Sequence, residues 1–323
     1  QVEGSTKADG RGVSIWDTFS ARPGTIVDHS KGDPAADHYR LWEQDLDLMA
    51  RLGLKSYRFS IAWPRILPLG TGAVNRRGLD FYRGLIDGLV TRGIKPAITM
   101  YHWDLPQPLQ DVGGWANRKT AYAFADYAEL LFSEFGDVEA DWFTINEPKT
   151  TAYEGYAYGI HAPGLQDGDA AGAAVHHQLL GHGLAVRKFR ASGARGRIGI
   201  ALNLMPVYAI SAAAKEATRY TDGAENRLFL DPILLGRYPT DAIGRLPGQV
   251  ALGSTAFESN ILPGDLKIIS SKNDLLAVQY YGVAGIDSDG YQVVIHAVSS
   301  ATWQQIYPEG LYYLLTRSKR DDP

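Results

Sequence analysis

The segment Asn146-Glu147-Pro148 places an amide and a carboxylate directly after the largely apolar run 141–145. A residue that precedes proline is biased to extended backbone, so we expect Pro148 to hold the Glu147 carboxylate at a fixed exit point. A glutamate desolvated in an aromatic pocket has a raised pKa and can donate a proton near neutral pH. On the tripeptide alone, a structural role has equal weight, because a carboxylate at a strand end also caps the next helix or pairs with an arginine.

Three adjacent side chains in the segment YHWDLP form a second polar group: the His102 imidazole, the Trp103 indole and the Asp104 carboxylate. The alternative for His102 and Trp103 is packing in the core. Their position at a predicted strand end, before a loop that contains proline, favours contact with a ligand.

A group of three further histidines is interpreted as structural. His176, His177 and His182 fall within an apolar helix without carboxylates at metal-ligand spacing, so we predict that they pack and that no metal is bound. The chain has no cysteine, which excludes a thiolate nucleophile and cysteine-ligated zinc. The charged run 317–322 is most simply the solvated end of a helix.

A recurring unit positions these residues: an amphipathic helix, a glycine that ends it, and then an apolar strand. Gly53 and Gly93 are the helix stops of the first two units. The four units and a fifth candidate strand cover 46–63, 79–103, 120–148, 181–203 and 275–283.

Strands that alternate with helices predict a parallel sheet buried on both faces, either doubly wound or closed into a (β/α)8 TIM barrel. The barrel is favoured because polar residues collect at the carboxyl ends of the strands, where barrel enzymes hold their active sites. We predict an α/β fold with about five readable barrel strands and a single domain over 1–323. Loops at 104–119, 148–170 and 204–225 should form the walls of the site.

The composition favours small neutral molecules as ligands. A formal net charge of −4 without long charge blocks gives no basic surface for nucleic acid. No apolar run reaches the roughly 20 residues of a membrane helix, and the start lacks a signal-peptide pattern, so we expect a cytoplasmic location. The glycine-rich stretch 70–78 lacks the spacing of a nucleotide-binding loop.

The sequence closely resembles the family-one retaining β-glycosidases, whose best-known members are β-glucosidases. The resemblance implies hydrolysis of terminal β-D-glucosides, with β-galactosides or fucosides as further substrates, and no cofactor or metal. It spans nearly the whole chain in motifs that occur in family order: QVEG, SIWDTF, YRFSIAWPRILP, GLDFY, YHWDLPQ, GGW, TINEP, HAPG, HGLAV, LPGDL and YPEGLY.

The resemblance also implies roles for individual residues. Glu147 corresponds to the general acid/base, and Arg58 and Tyr281 correspond to residues that hydrogen-bond the nucleophilic carboxylate. The residues whose family counterparts contact the sugar are Gln1, His102, Trp103 and Asn146.

Two positions depart from the family pattern. The family motif N-Y-Y reads Gln279-Tyr280-Tyr281, and Lys149 stands where the family often has an aromatic residue, which predicts a more polar entrance. Adjacent residues of a regular strand point to opposite faces, yet Asn146 and Glu147 must reach one pocket. We therefore predict an irregular strand at this point.

Retaining hydrolysis needs two carboxylates about 5 to 5.5 Å apart, and the family's I-T-E-N-G nucleophile motif is not among the 323 residues. We expect the first, seventh and eighth barrel strands and this motif to lie beyond the two ends. Either a further part of the same chain or a complementary barrel fragment would supply them. The alternative functions are a 6-phospho-β-glycosidase, a transglycosylase of the same fold, and an inactive sugar-binding barrel fragment.

Overall fold

The structure is a computed structural model that describes residues 2–243, 254–296 and 304–321. Its main sheet contains five parallel strands, each hydrogen-bonded to the next: β1 (Ser56–Ser60), β2 (Lys95–Tyr101), β3 (Ala140–Asn146), β4 (Gly196–Asn203) and β6 (Leu275–Gln279). A second, smaller sheet contains β5 (Val207–Ala209), β7 (Ala284–Ile286) and β8 (Gln292–Val293). The five predicted strands are confirmed, and the small sheet was not predicted.

Helices connect the strands of the main sheet, as parallel pairing requires. The α-helices of the described residues are α1 (Ile15–Ala21), α2 (His38–Arg51), α3 (Trp63–Ile66), α4 (Arg76–Thr91), α5 (Gln107–Gln110), α6 (Lys119–Phe135), α7 (Pro148–Thr150), α8 (Gly168–Ser192), α9 (Lys215–Asp222), α10 (Leu228–Leu234), α11 (Ser254–Ser259), α12 (Asp265–Ile269) and α13 (Pro308–Asp321). Two π-helical segments cover Thr151–Ala157 and Gly223–Arg227, and two 3₁₀ turns cover Gly114–Ala116 and Ala212–Ala214. Within the described part of the chain, no helix is long and apolar enough to cross a membrane.

The predicted glycine stops are confirmed. Gly53 and Gly93 follow α2 and α4 with φ of 73° and 69°, a left-handed backbone that glycine adopts without a Cβ clash. Each helix then buries its apolar side against the sheet. In α4 the buried residues keep helical spacing and are Gly78, Leu79, Tyr82, Leu85, Ile86 and Leu89.

Aromatic side chains fill the layer between the sheet and the helices. Trp142 of β3 meets Phe132 of α6 edge to face, with ring centroids 5.2 Å apart. Trp63 stacks on Tyr127 at 4.9 Å, and both rings are buried. These contacts fix the helices against the strands whose ends carry the polar residues.

The three histidines of α8 pack as predicted. His177 contacts the Trp115 carbonyl at 3.0 Å, and His182 contacts the Thr144 hydroxyl at 2.8 Å. His176 lies 2.9 Å from a carboxylate oxygen of Asp265. Burial acts to raise the pKa of Asp265, but hydrogen bonds from Arg118 and His176 outweigh it and lower that pKa to about 2.

Two predictions about local structure are wrong. The segments predicted as loops at 104–119, 148–170 and 204–225 contain short helices, and the last also contains β5. Elements of three to eight residues give too short a periodic pattern to be recognised in sequence. The run 317–322 does lie at the end of α13, but Arg317 is paired rather than solvated, because it donates to both carboxylate oxygens of Asp222, at 2.5 and 2.7 Å; residue 322 of that run lies outside the described residues.

We expect Gly183→Ala to lower the midpoint of thermal unfolding. A Cβ at Gly183 would lie 2.2 Å from the Ile268 carbonyl oxygen, so α8 and α12 would have to separate, at a cost of about 1–3 kcal/mol. Gly84→Ala in α4 is the matched control, since its Cβ would meet Trp42 at an ordinary 3.5 Å and alanine is the better helix former. An unchanged midpoint in Gly183→Ala would contradict this packing.

Candidate active site

The strand that carries the candidate acid is irregular at its end. Phe143 pairs with Gly199 and Asn146 with Ala201, so three steps along β3 match two steps along β4. Glu147 follows in the left-handed region, with φ 48° and ψ 68°, and its N–H donates to the Ala201 carbonyl at 2.8 Å. The predicted irregularity is confirmed. The extended backbone expected for Glu147 from Pro148 is wrong, because the chain turns at this residue and the hydrogen bond to β4 holds the turn.

The Glu147 carboxylate is buried and receives hydrogen bonds at both oxygens. Thr150 donates its hydroxyl to Oε2 at 2.9 Å. At the other oxygen, the Gln279 side-chain amide donates to Oε1, and the Tyr281 hydroxyl lies 3.5 Å away. The carboxylate is therefore held in one orientation by groups from two different strand ends.

Burial raises the pKa of Glu147 above the usual value for a glutamate. The hydrogen bond from Thr150 opposes this rise, as do the Lys149 charge, the Tyr281 hydroxyl and the Arg58 charge. The net shift is upward, which is the direction a proton donor needs near neutral pH.

Arg58 and Asn146 meet beside this carboxylate. The Arg58 guanidinium donates to the Asn146 side-chain oxygen at 2.7 Å, to the Gln279 side-chain oxygen at 3.2 Å and to the Thr99 hydroxyl at 2.9 Å. The Asn146 side-chain nitrogen is buried and has no hydrogen-bond partner among the described residues. A donor of this kind is available for a ligand oxygen.

His102 and Trp103 line a cavity of about 760 Å³ together with Arg58. The Trp103 indole donates to the Asn146 backbone carbonyl at 2.9 Å, which connects the ends of β2 and β3. Burial and the Arg58 charge lower the pKa of His102 to about 4, so its ring is neutral at pH 7. A neutral imidazole can donate or accept a hydrogen bond.

The structure thus brings together six of the seven predicted site residues: Arg58, His102, Trp103, Asn146, Glu147 and Tyr281. The seventh, Gln1, lies outside the described residues. Two contacts were missed. Thr150 gave no sequence signal beyond its place in the helical turn after Glu147. Gln279 was predicted to lie at a strand end and to depart from the family motif, but its contact with Glu147 was not predicted.

Comparison with known proteins places the chain in a family. Residues 1–321 match the family described as Glycosyl hydrolase family 1. The chain is 43% identical over 332 residues to "Beta-glucosidase A" of Acetivibrio thermocellus, an alignment that covers 99% of this chain and 73% of the relative.

Solved structures of β-glucosidases are also similar to this protein. A β-glucosidase from Thermotoga maritima in complex with a methyl acetic acid-substituted glucoimidazole superposes with a TM-score of 0.90 at 41% identity, covering 100% of this chain and 72% of that one. The same enzyme in complex with galacto-hydroximolactam gives 0.91 at 41% identity, with the same coverage. The (β/α)8 barrel predicted from the sequence is confirmed as the fold class.

We expect Thr150→Val to raise the pKa of Glu147. The Thr150 hydrogen bond favours the charged carboxylate, and valine keeps the side-chain shape while removing the donor. The measurement is the titration of the Glu147 carboxyl by NMR with carbon-13-labelled glutamate, assigned by its loss in Glu147→Gln. Thr316→Val is the control, because that hydroxyl donates only to backbone carbonyls of its own helix. A pKa that stays the same or falls in Thr150→Val would contradict the assigned contact.

Proposed function

The chain belongs to glycosyl hydrolase family 1, and we propose that it is a retaining β-glucosidase with Glu147 as its acid/base. The observation that carries the assignment is a buried carboxylate of raised pKa, oriented at the end of a barrel strand by Thr150 and Gln279. A general acid must keep its proton and present it in one direction; burial favours the protonated form of Glu147, and the two hydrogen bonds fix the direction of the carboxyl group.

The sugar to be cleaved binds in the cavity beside β1 and β2. The neutral His102 ring forms hydrogen bonds with hydroxyls of the sugar, and the Trp103 indole lies against the sugar. Asn146 uses its unpartnered nitrogen to bind a sugar hydroxyl while its oxygen stays bonded to Arg58. Binding the sugar therefore gives the buried amide the acceptor that it lacks.

In the first chemical step Glu147 protonates the oxygen of the departing group. The attacking carboxylate implied by the family resemblance is not among the 323 residues, and Arg58 and Tyr281 are assigned to its support. Bond formation at the sugar consumes one negative charge in the site, so the pKa of Glu147 falls. Glu147 then accepts a proton from the water that releases the sugar, which completes hydrolysis with retention.

The substrate class follows from the relatives and from the site. The similar enzymes are named β-glucosidases, and the solved complexes hold a substituted glucoimidazole and galacto-hydroximolactam. We assign terminal β-D-glucosides as the principal substrates and β-galactosides as a second class.

Replacing Glu147 by Gln should affect substrates according to their leaving group. For methyl β-glucoside, which needs protonation, we expect kcat/KM to fall by about a hundredfold or more. For 2,4-dinitrophenyl β-glucoside, whose leaving group departs as a stable anion, the fall should be far smaller. The alkaline decline of kcat/KM, which reports loss of the acid's proton, should also disappear for the alkyl substrate. Steady-state kinetics of the intact protein from pH 4 to 10 provides the measurement.

Glu43→Gln serves as the control, because Glu43 is an exposed glutamate of α2. It should behave as the parent enzyme does with both substrates. Equal losses of kcat/KM for the two glucosides in Glu147→Gln would refute the acid/base role. Binding of glucose without turnover of either glucoside by the parent protein would instead indicate a sugar-binding barrel.

A further inference from the structure

The side-chain amide of Gln279 lies between Arg58 and Glu147. Its oxygen accepts from the Arg58 guanidinium at 3.2 Å, and its nitrogen donates to Oε1 of Glu147. A guanidinium donates hydrogen bonds and cannot accept them, so the atom that faces Arg58 must be the amide oxygen. The amide nitrogen is therefore turned towards Glu147. The reverse orientation would place the amide oxygen against the carboxylate and the amide N–H groups against the cation.

Arg58 is itself held in place, so it cannot follow a rotation of this amide. Its guanidinium donates to the Asn146 side-chain oxygen at 2.7 Å and to the Thr99 hydroxyl at 2.9 Å. It also lies over the Phe143 ring, 5.1 Å from the ring centroid. These contacts come from two other strands of the sheet, and they fix the side of the Gln279 amide that each neighbour contacts.

Oε1 of Glu147 therefore faces hydrogen-bond donors. The amide nitrogen of Gln279 donates to the Tyr281 hydroxyl oxygen at 3.1 Å, and that hydroxyl in turn points its own donor at Oε1 from 3.5 Å. An amide N–H cannot accept a proton. A proton on Oε1 would therefore displace the Gln279 hydrogen bond without gaining an acceptor in its place.

Oε2 of Glu147 has a partner that can reverse its role. The Thr150 hydroxyl donates to Oε2 at 2.9 Å. A hydroxyl carries one O–H group and two lone pairs and can rotate, so it can also accept from a protonated Oε2. The two oxygens of Glu147 thus differ in chemistry, because Oε2 has a neighbour that can accept a proton and Oε1 faces donors.

We propose that Gln279 is a positioning residue that restricts the acid proton of Glu147 to Oε2, where the Thr150 hydroxyl accepts it. The inference rests on the function proposed above, and it identifies the atom of the acid that gives up the proton. As the glycosidic C–O bond breaks, the proton passes from Oε2 to the oxygen of the departing group. The Thr150 hydroxyl then turns back to donate to the carboxylate, while Gln279 keeps its hydrogen bond to Oε1 in both states.

The Gln279 contact also limits the affinity of Glu147 for its proton. A hydrogen bond to a charged carboxylate is stronger than one to a neutral carboxyl group, so the amide favours the charged form. Burial acts in the opposite direction and raises the pKa of Glu147. The charged and titratable groups that act on Glu147 from its surroundings are Lys149, Tyr281 and Arg58. All three remain in the variants below, so a change in the pKa reports the amide.

Gln279→Met tests the proposal, because methionine keeps the length of the side chain and removes the amide. We expect the pKa of Glu147 to rise by about one unit or more, the effect of a lost hydrogen bond to a charged group. The alkaline decline of kcat/KM for methyl β-glucoside should move to higher pH by the same amount, since the acid keeps its proton longer. Carbon-13 NMR titration and steady-state kinetics of the intact protein give the two values. Gln44→Met, at an exposed position of α2, should change neither.

Infrared spectroscopy identifies the oxygen that carries the proton. In protein with carbon-13-labelled glutamate, the C=O stretch of protonated Glu147, assigned by its loss in Glu147→Gln, reports the oxygen without the proton. If that oxygen is Oε1, Gln279→Met removes a donor from the carbonyl and should shift the band to higher wavenumber. Thr150→Val should shift the band much less. A proton on Oε1 would reverse this order.

A second variant and the activity assay complete the test. Gln279→Asn retains an amide that is one methylene too short to reach both neighbours, so it should also raise the pKa of Glu147. If the intact protein cleaves methyl β-glucoside but both Gln279 variants leave the pKa and the band unchanged, the inference is overturned and the proposed function stands. A larger band shift in Thr150→Val than in Gln279→Met would also overturn it. If the protein cleaves no glucoside but the pKa and the band shift as expected, the function fails and the position of the proton stands.

Discussion

The hydrogen bond from the Glu147 N–H to the Ala201 carbonyl is the contact on which the site depends. It stabilises a left-handed backbone that costs a non-glycine residue on the order of 1–3 kcal/mol. A regular strand would send the Asn146 and Glu147 side chains to opposite faces of the sheet. The extra residue in β3 and the turn at Glu147 let both side chains serve one pocket, while β3 stays paired with β4 up to its last residue.

The electrostatic balance of the site follows from this placement. Burial favours the protonated form of Glu147, whereas Thr150, Lys149, Tyr281 and Arg58 favour the charged form. The acid/base role proposed for Glu147 requires that neither its protonated nor its charged form be strongly favoured. Gln279 links Arg58 to Glu147, because its side-chain oxygen accepts a hydrogen bond from Arg58 and its side-chain nitrogen donates one to Glu147. The glutamine at a position where the family has asparagine thus has a defined contact in this protein.

The features that could be predicted from the sequence are those marked by a long periodic pattern or by polar residues at a strand end. The helix spacing of α4, the glycines after α2 and α4, and the five parallel strands were all predictable from residue type and period. The bulge at the end of β3 was predictable only indirectly, from the need of two adjacent side chains to face one pocket.

Three features could not be predicted from the sequence. The small sheet consists of strands of two or three residues, too short for an alternating pattern. The ion pair of Arg317 with Asp222 joins residues 95 positions apart, and no local rule connects them. Thr150 resembles any helical threonine until the turn at Glu147 places the carboxylate beside its hydroxyl.

The π-helical segment Thr151–Ala157 begins one residue after Thr150, so Glu147, its hydrogen-bond donor Thr150 and this segment belong to a single continuous stretch of chain. A π-helix accommodates an extra residue in each turn relative to an α-helix. Loss of one residue from this segment would rotate the side chains that follow the deletion around the helix axis while leaving Glu147 in place. Short insertions and deletions in this stretch would therefore change the side chains that surround Glu147 without moving Glu147 itself.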